Sequence, residues 1–347
     1  MQSYVSQLDN LVGAINAVAS NKNYWLIRTQ AGALYQTFID NSYISIGHKE
    51  VSSYILGENA NSYKINKKVV LDIIRNEVKQ YHEDNGTPLD KRSISLISSQ
   101  IAKFAYEVKE NDIVIIPSHN SNYISFGIVT ENYHSHMNVV NSYDGALLKK
   151  PVVWIKELKR RHLDPYLYKM FTAHQAINNV KEYAAIVERS LNDMFILEDE
   201  AHFVINIESE DIVAKDLFGL GTCLLDLLDE VSNKFNLGVN SKDLQVAINI
   251  NSPGKIDIKS KVKKTTILFG IILLLCGGGY MGADGTKLST DGLPGIIKAI
   301  DEFLTHRQER ELKDEIFHKY RDSLQIKQPE DMLMLLKQVS ENKDCPK

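Results

Sequence analysis

Between Thr265 and Gly282 the chain reads TTILFGIILLLCGGGYMG, eighteen residues without a charge. This run constrains the fold more than any other feature, because a helix built from it cannot stand in water. Ile267, Leu268, Phe269, Ile271, Ile272, Leu273, Leu274 and Leu275 fall on all sides of such a helix, and each is worth roughly 1.5–3 kcal/mol when buried. A membrane-spanning helix needs about 20 apolar residues, whereas runs of about 10–14 belong more often to buried helices. The strongly apolar part, Ile267 to Cys276, is ten residues long, and Gly277-Gly278-Gly279 then weakens the helix. Lys255, Lys259, Lys261, Lys263 and Lys264 precede it, as the positive-inside rule expects on the cytoplasmic side of a membrane segment. Residues 265–282 are therefore expected to be helical through Cys276 and buried in lipid or in another subunit.

The rest of the chain is globular in texture. Its 347 residues suit two or three domains, and 44% hydrophobic with 24% charged residues excludes disorder by composition. A net charge of −4 argues against a wholly basic nucleic-acid binder while permitting local basic patches. Cys223, Cys276 and Cys345 lie far apart, so neither a disulfide framework nor a zinc site is expected, and a reducing compartment is the default. Residues 1–20 read as an amphipathic helix with Val5, Leu8, Leu11, Ile15 and Val18 on one face, not as a secretory signal. A cytoplasmic protein is expected, held at the inner membrane through 265–282 if that segment inserts.

Periodicity sketches the organisation. Residues 24–29 and 44–47 read as strands, and Lys67 to Tyr81 and Ile94 to Tyr106 as helices separated by the turn EDNGTP. Residues 112–117 (DIVIIP) and 123–130 (YISFGIVT) alternate around a polar turn, which predicts an antiparallel pair, and Val152 to Ile155 is a further strand. Beyond residue 176 the spacing predicts helices over 177–191 and 215–235, a strand over 203–207, and a hairpin joining 244–250 to 255–259. Charged helices over 292–320 and 330–340 close the chain. The expected domains are a leading helix (1–20), a sensor-like module (21–175), an α+β connector (176–262), the hydrophobic segment (263–285) and a helical tail (286–347).

Within the module, YWLIRTQAGALYQTF, YISIGHKE, FAYEVKENDIVIIPSHNSNYISFGIVTENY and PVVWIKELKRRHLDPYLYKMF carry a recognisable pattern. Trp25, Ile27 and Arg28, then Ile46 and Gly47, then Asp112, Val114 and Pro117, then Gly127, Val129, Thr130 and Tyr133, then Val152 and Trp154 stand in its order. This stretch resembles the N-terminal domain of Mrr-type restriction-system proteins, which looks related to the PUA and EVE modules. Two positions depart from it: His48 stands where tryptophan is usual, and Asn111 replaces the glycine before Asp112. The resemblance implies a small β-barrel with helical insertions that recognises nucleic acid or a nucleotide in phage defence. The fold class expected is α+β: that barrel, a compact α+β unit and a helical tail.

Candidate ligand contacts are Trp25, Arg28, Gly47, His48, Lys49, Asn120, Tyr123, Lys159, Arg160 and Arg161. Aromatic rings would stack on bases and the basic side chains would hold phosphates. Trp25, Arg28 and Gly47-His48-Lys49 are expected to line one concave surface. Lys149, Lys150, Lys156 and His162 extend the basic cluster. Asp257-Ile258-Lys259 fits the second half of a metal-dependent nuclease pattern, with Asp243 as a distant second carboxylate; a nuclease is thus the alternative reading, and a structural adaptor in a defence complex another. His119, His134 and His136 lack metal-ligand spacing. No phosphate loop or nucleophile elbow occurs, so no cofactor, metal or catalytic residue is expected. Nucleic acid or nucleotide, a membrane, and a second copy or a partner protein of a defence operon are the expected partners.

Overall fold

The computed structural model describes residues 3–15, 17–19, 21–130, 148–209, 211–249, 254–276, 294–305 and 319–341. The fold is mixed α+β, and the chain divides into two compact units: Asn21–Val187, and Met1–Ser20 together with Glu188–Lys347.

The first unit is built on a curled six-stranded sheet. Its strands are β1 (Tyr24–Ile27), β2 (Tyr43–Ser45), β3 (Ile113–Pro117), β4 (Tyr123–Val129), β5 (Lys149–Lys159) and β6 (Ile177–Asn179), in the order β2-β5-β4-β3-β1-β6. The expected pair forms, with β3 and β4 antiparallel from Ile113 opposite Ile128 to Pro117 opposite Ile124. β1 and β3 run parallel. A parallel pair needs a long crossover, and α2 (Tyr35–Asp40), β2, α3 (Ser53–Glu58), α4 (Ala60–Ile65), α5 (Lys67–Asp84) and α6 (Lys91–Ala102) supply it. Asn66 and Asp90 cap α5 and α6 by accepting from the backbone of Val69 and Ser93. The apolar stripe Val70, Ile74 and Val78 of α5 then packs in one core with Trp25, Ile27, Val114 and Ile116 of the sheet. Asn111 has φ +69°, a conformation that asparagine tolerates better than most residues.

The second unit carries a four-stranded antiparallel sheet, β7 (Met194–Leu197), β8 (Glu200–Ile207), β9 (Gln245–Asn249) and β10 (Gly254–Ser260), in the order β7-β8-β10-β9. The hairpin expected from the sequence is β9–β10. The helix expected over 177–191 is shorter: its first residues form β6 against β1, and α7 spans Ala184–Leu191. The other helices are α8 (Ala214–Phe235), α9 (Lys263–Cys276), α10 (Gly295–Thr305) and α11 (Glu330–Glu341), with α1 (Tyr4–Ala14) from the chain's beginning.

α9 corrects the expectation of lipid or a second subunit. Every residue from Thr265 to Leu274 is buried within its own unit, among side chains of α1, α8, α10, α11 and the sheet. Leu8 and Leu11 of α1 are fully buried there, so the leading helix, the expected connector from Glu188 onward, the apolar segment and the tail form one unit, while residues 176–187 belong to the other. A helix without a polar face has to be surrounded, and elements from both ends of the chain do this. At about 1.5 Å per residue its fourteen residues span ~21 Å, short of the ~30 Å hydrocarbon core. Among the described residues no helix is long and apolar enough to cross a membrane. Four of the five preceding lysines have protein partners: Lys264 pairs with Asp9 at 2.9 Å, Lys261 with Asp199 at 3.3 Å and Lys259 with Glu200 at 2.6 Å, and Lys255 Nζ donates to the Arg189 carbonyl at 2.7 Å.

Candidate functional site

Because β1 and β3 are parallel, both end at the same edge of the six-stranded sheet, where β5 also ends and β4 begins. The loops that follow are locked together. Thr29 Oγ1 donates to the Pro117 carbonyl at 2.5 Å. Gln30, Ala31 and Gly32 have φ of 50°, 57° and 99°, and Asn120 and Ser121 have φ of 54° and 55°. A Cβ on Gly32 would stand 2.3 Å from the His119 backbone nitrogen, so the two loops can meet this closely only around glycine. Gly47, with φ +71°, joins the same group, the place of its missing Cβ lying 3.2 Å from Gln30 Nε2.

Beside these loops lies an open cleft of about 560 Å³, lined by Asn122, Tyr123, Lys159, Arg160, Arg161 and Tyr168. Tyr123 opens β4 and faces Lys159, the last residue of β5, across the ladder. The Arg160 N–H extends that ladder by donating to the Asn122 carbonyl at 2.9 Å. Asp164 accepts from the Tyr166 N–H at 2.9 Å and starts the 3₁₀ helix Pro165–Thr172, which brings Tyr168 back. The Tyr168 hydroxyl donates to the Arg160 carbonyl at 2.9 Å, and the Arg160 guanidinium sits over the Tyr168 ring, 4.8 Å from its centre. Arg161 Nε donates to His162 Nε2 at 3.1 Å. Burial, then the charges of Arg161 and Lys159, hold the His162 pKa below its ordinary value. Among the described residues no carboxylate pairs with Lys159, Arg160 or Arg161. Tyr123 remains 41% exposed.

Tyr123, Lys159, Arg160 and Arg161 are thus brought to one cleft, with Asn120 in the adjoining loop. Trp25 does not reach it: the indole is 1% exposed and its Nε1 donates to Asp112 Oδ2 at 2.8 Å. Arg28 Nη1 donates to the Phe171 carbonyl at 3.0 Å and so braces the 3₁₀ helix. His48 turns toward Glu50, with Nδ1 3.3 Å from Oε1, and the Lys49 N–H donates to Glu50 Oε2 at 2.8 Å. The expected surface shared by Trp25, Arg28 and Gly47-His48-Lys49 is therefore not formed, because Trp25 is core and His48 is paired beside Glu50.

The basic run also divides. Lys149 and Lys159 are ends of one eleven-residue strand, about 33 Å apart at ~3.3 Å per residue. Lys149 Nζ lies 4.0 Å from the Tyr43 ring centre. Lys150 is 1% exposed and its Nζ donates to the Val108 carbonyl at 2.9 Å. Burial pushes its pKa down to about 8, against the pull of Asp112. It belongs to the core, not to a phosphate site. Asn122 and Tyr168 are cleft residues that sequence reasoning missed; Asp164-Pro165 as a helix start just after the basic run was the available signal for Tyr168.

The nuclease pattern is not assembled. Asp257 is 3% exposed, with its two oxygens each 3.1 Å from His202 Nδ1 and Oδ2 3.5 Å from Arg189 Nη1. Lys259 is paired with Glu200. Asp243 accepts from the Asn240 N–H at 3.2 Å in a capping box. Both oxygens of Asp257 are engaged by protein, and Asp243 is used to cap a turn. Among the described residues no group of three His, Cys, Asp or Glu could hold a metal. His119 is part of the loop packing, while Tyr133, His134 and His136 lie outside the described residues.

Residues 23–180 match the family of a domain of unknown function, DUF8426. The matched stretch begins just before β1 and ends just after β6, the full span of the six-stranded sheet. No curated protein and no solved structure matches the chain.

Proposed function

We propose that Asn21–Val187 is a PUA/EVE-like recognition module of a phage-defence protein, binding nucleic acid or a nucleotide at the cleft between Tyr123 and Tyr168. The second unit, in this reading, relays the bound state to a partner protein or a second copy. One observation carries the proposal: three cations with no carboxylate partner among the described residues share an open cleft with an exposed tyrosine. Protein carboxylates would normally neutralise such a cluster, and phosphates would release counterions on doing so. The resemblance at Arg28, Gly47, Asp112, Val129 and Val152 to Mrr-type modules supports the defence context.

The test is binding of labelled oligonucleotides to the full chain as a function of salt. Lys159→Ala and Arg161→Ala should each weaken binding and lower the log–log salt slope by about 1. Both sit on the surface, so their melting temperatures should stay near that of the parent. If neither an oligonucleotide nor a free nucleotide binds even at low ionic strength, the proposal is wrong.

A further inference from the structure

We infer that the cleft is built for a single strand of nucleic acid, reading base faces as well as phosphates, and not for duplex. This rests on the reading just given and narrows it. A duplex keeps its base faces stacked inside and offers a cleft on its flank only phosphates, for which cations suffice. Here the cations alternate with flat π surfaces.

Tyr123 and Lys159 are direct cross-strand partners, so their side chains rise from the same face of the sheet about 5 Å apart. A base laid on the Tyr123 ring therefore places its own phosphate within reach of the Lys159 ammonium. The second flat surface is the Arg160 guanidinium. Tyr168 covers one side of it at 4.8 Å and is itself tied to the Arg160 carbonyl, so the plane is held in place and its other side can receive the next base. Arg161 follows directly; among the described residues its partner is the ring nitrogen of His162, which leaves its charge available to a phosphate. The openness of the cleft points the same way. Ligand pockets for free small molecules enclose most of their ligand, whereas a groove open along its length suits a strand whose neighbouring nucleotides each add a contact.

The experiment compares a labelled oligo-dT, an oligo-U of equal length, a mixed-sequence duplex and ATP on the full chain and on surface variants. Single strands should bind more tightly than duplex and ATP. Stacking on one aromatic ring corresponds to roughly 5- to 140-fold in affinity, so Tyr123→Ala should lose that factor for single strands and leave duplex binding unaltered, while Tyr123→Phe retains affinity. Arg160→Lys, which keeps the charge but not the plane, should weaken single strands selectively. Oligo-dT against oligo-U separates DNA from RNA as the source of the strand. Duplex or ATP binding as tightly as the single strands overturns the inference. So does full affinity of Tyr123→Ala alongside a loss in Lys159→Ala, an outcome that keeps the phosphate-binding cleft. If no polymer and no nucleotide binds, the cleft reading itself falls with it.

Discussion

The charged residues of the two sheets meet opposite fates. On the four-stranded sheet, Asp257 lies 3.1 Å from His202 of β8 and 3.5 Å from Arg189 of α7, and the His202 ring also stacks on Phe195 at 4.6 Å. His202 and Asp257 are 4% and 3% exposed. At the end of the six-stranded sheet, Lys159, Arg160 and Arg161 have aromatic, imidazole and backbone neighbours but no carboxylate among the described residues, and their cleft opens to solvent. Buried charges persist only when paired and hydrogen-bonded, so the first set is explained by the fold itself. The second set is left with capacity for a ligand. What separates a structural charge from a binding charge is whether the protein has already satisfied it.

The largest expected effect breaks the comparison at its most buried point. Ile271 of α9 is fully buried, so Ile271→Arg loses roughly 1.5–3 kcal/mol of burial and adds an unpaired buried charge costing several kcal/mol more. Because a domain's whole stability is about 5–15 kcal/mol, cooperative thermal unfolding of this unit should be lost, as followed by circular dichroism of the full chain. A variant with the parent's melting curve but altered membrane fractionation would return α9 to lipid. Next comes Asp257→Ala, which strands His202 and Arg189 without their carboxylate. It should cost about 3–5 kcal/mol in denaturant unfolding while oligonucleotide affinity stays unchanged. Intact stability with loss of a metal-dependent DNA cleavage would restore the nuclease reading.

The smallest of the three concerns Lys150, whose hydrogen bond to Val108 makes it structural although it lies in the basic run. Lys150→Met removes that bond and should cost about 1–3 kcal/mol. Burial lowers its pKa from 10.5 to about 8. Between these values the unfolded chain binds more protons than the folded one, so this lysine makes stability rise with pH through that window. Below about pH 8 both states are protonated and the contribution is flat. Chemical denaturation at successive alkaline pH values should show the rise in the parent and its absence in Lys150→Met. The same slope in both would place the titration elsewhere.

Much of the local architecture is legible without coordinates. Two short, mainly apolar runs, DIVIIP and YISFGIVT, around a polar turn specify the β3–β4 pair, the stripe of Val70, Ile74 and Val78 specifies α5, and the absence of any polar face specifies that α9 must be surrounded. These features depend on residues a few positions apart, which is the range over which a helix or strand repeats. Tertiary structure alone decided what surrounds α9, with Leu8 and Leu11 arriving from the other end of the chain. It also decided that Trp25 spends its indole N–H on Asp112, 87 residues away, and that Asp257 spends its carboxylate on His202, 55 residues away. A side chain's chemical type is written in the sequence, but its spare hydrogen-bonding capacity depends on partners that only the folded chain brings within 3 Å or so. That is why Lys150 and Arg161, eleven positions apart in one basic run, end as a core residue and a cleft residue.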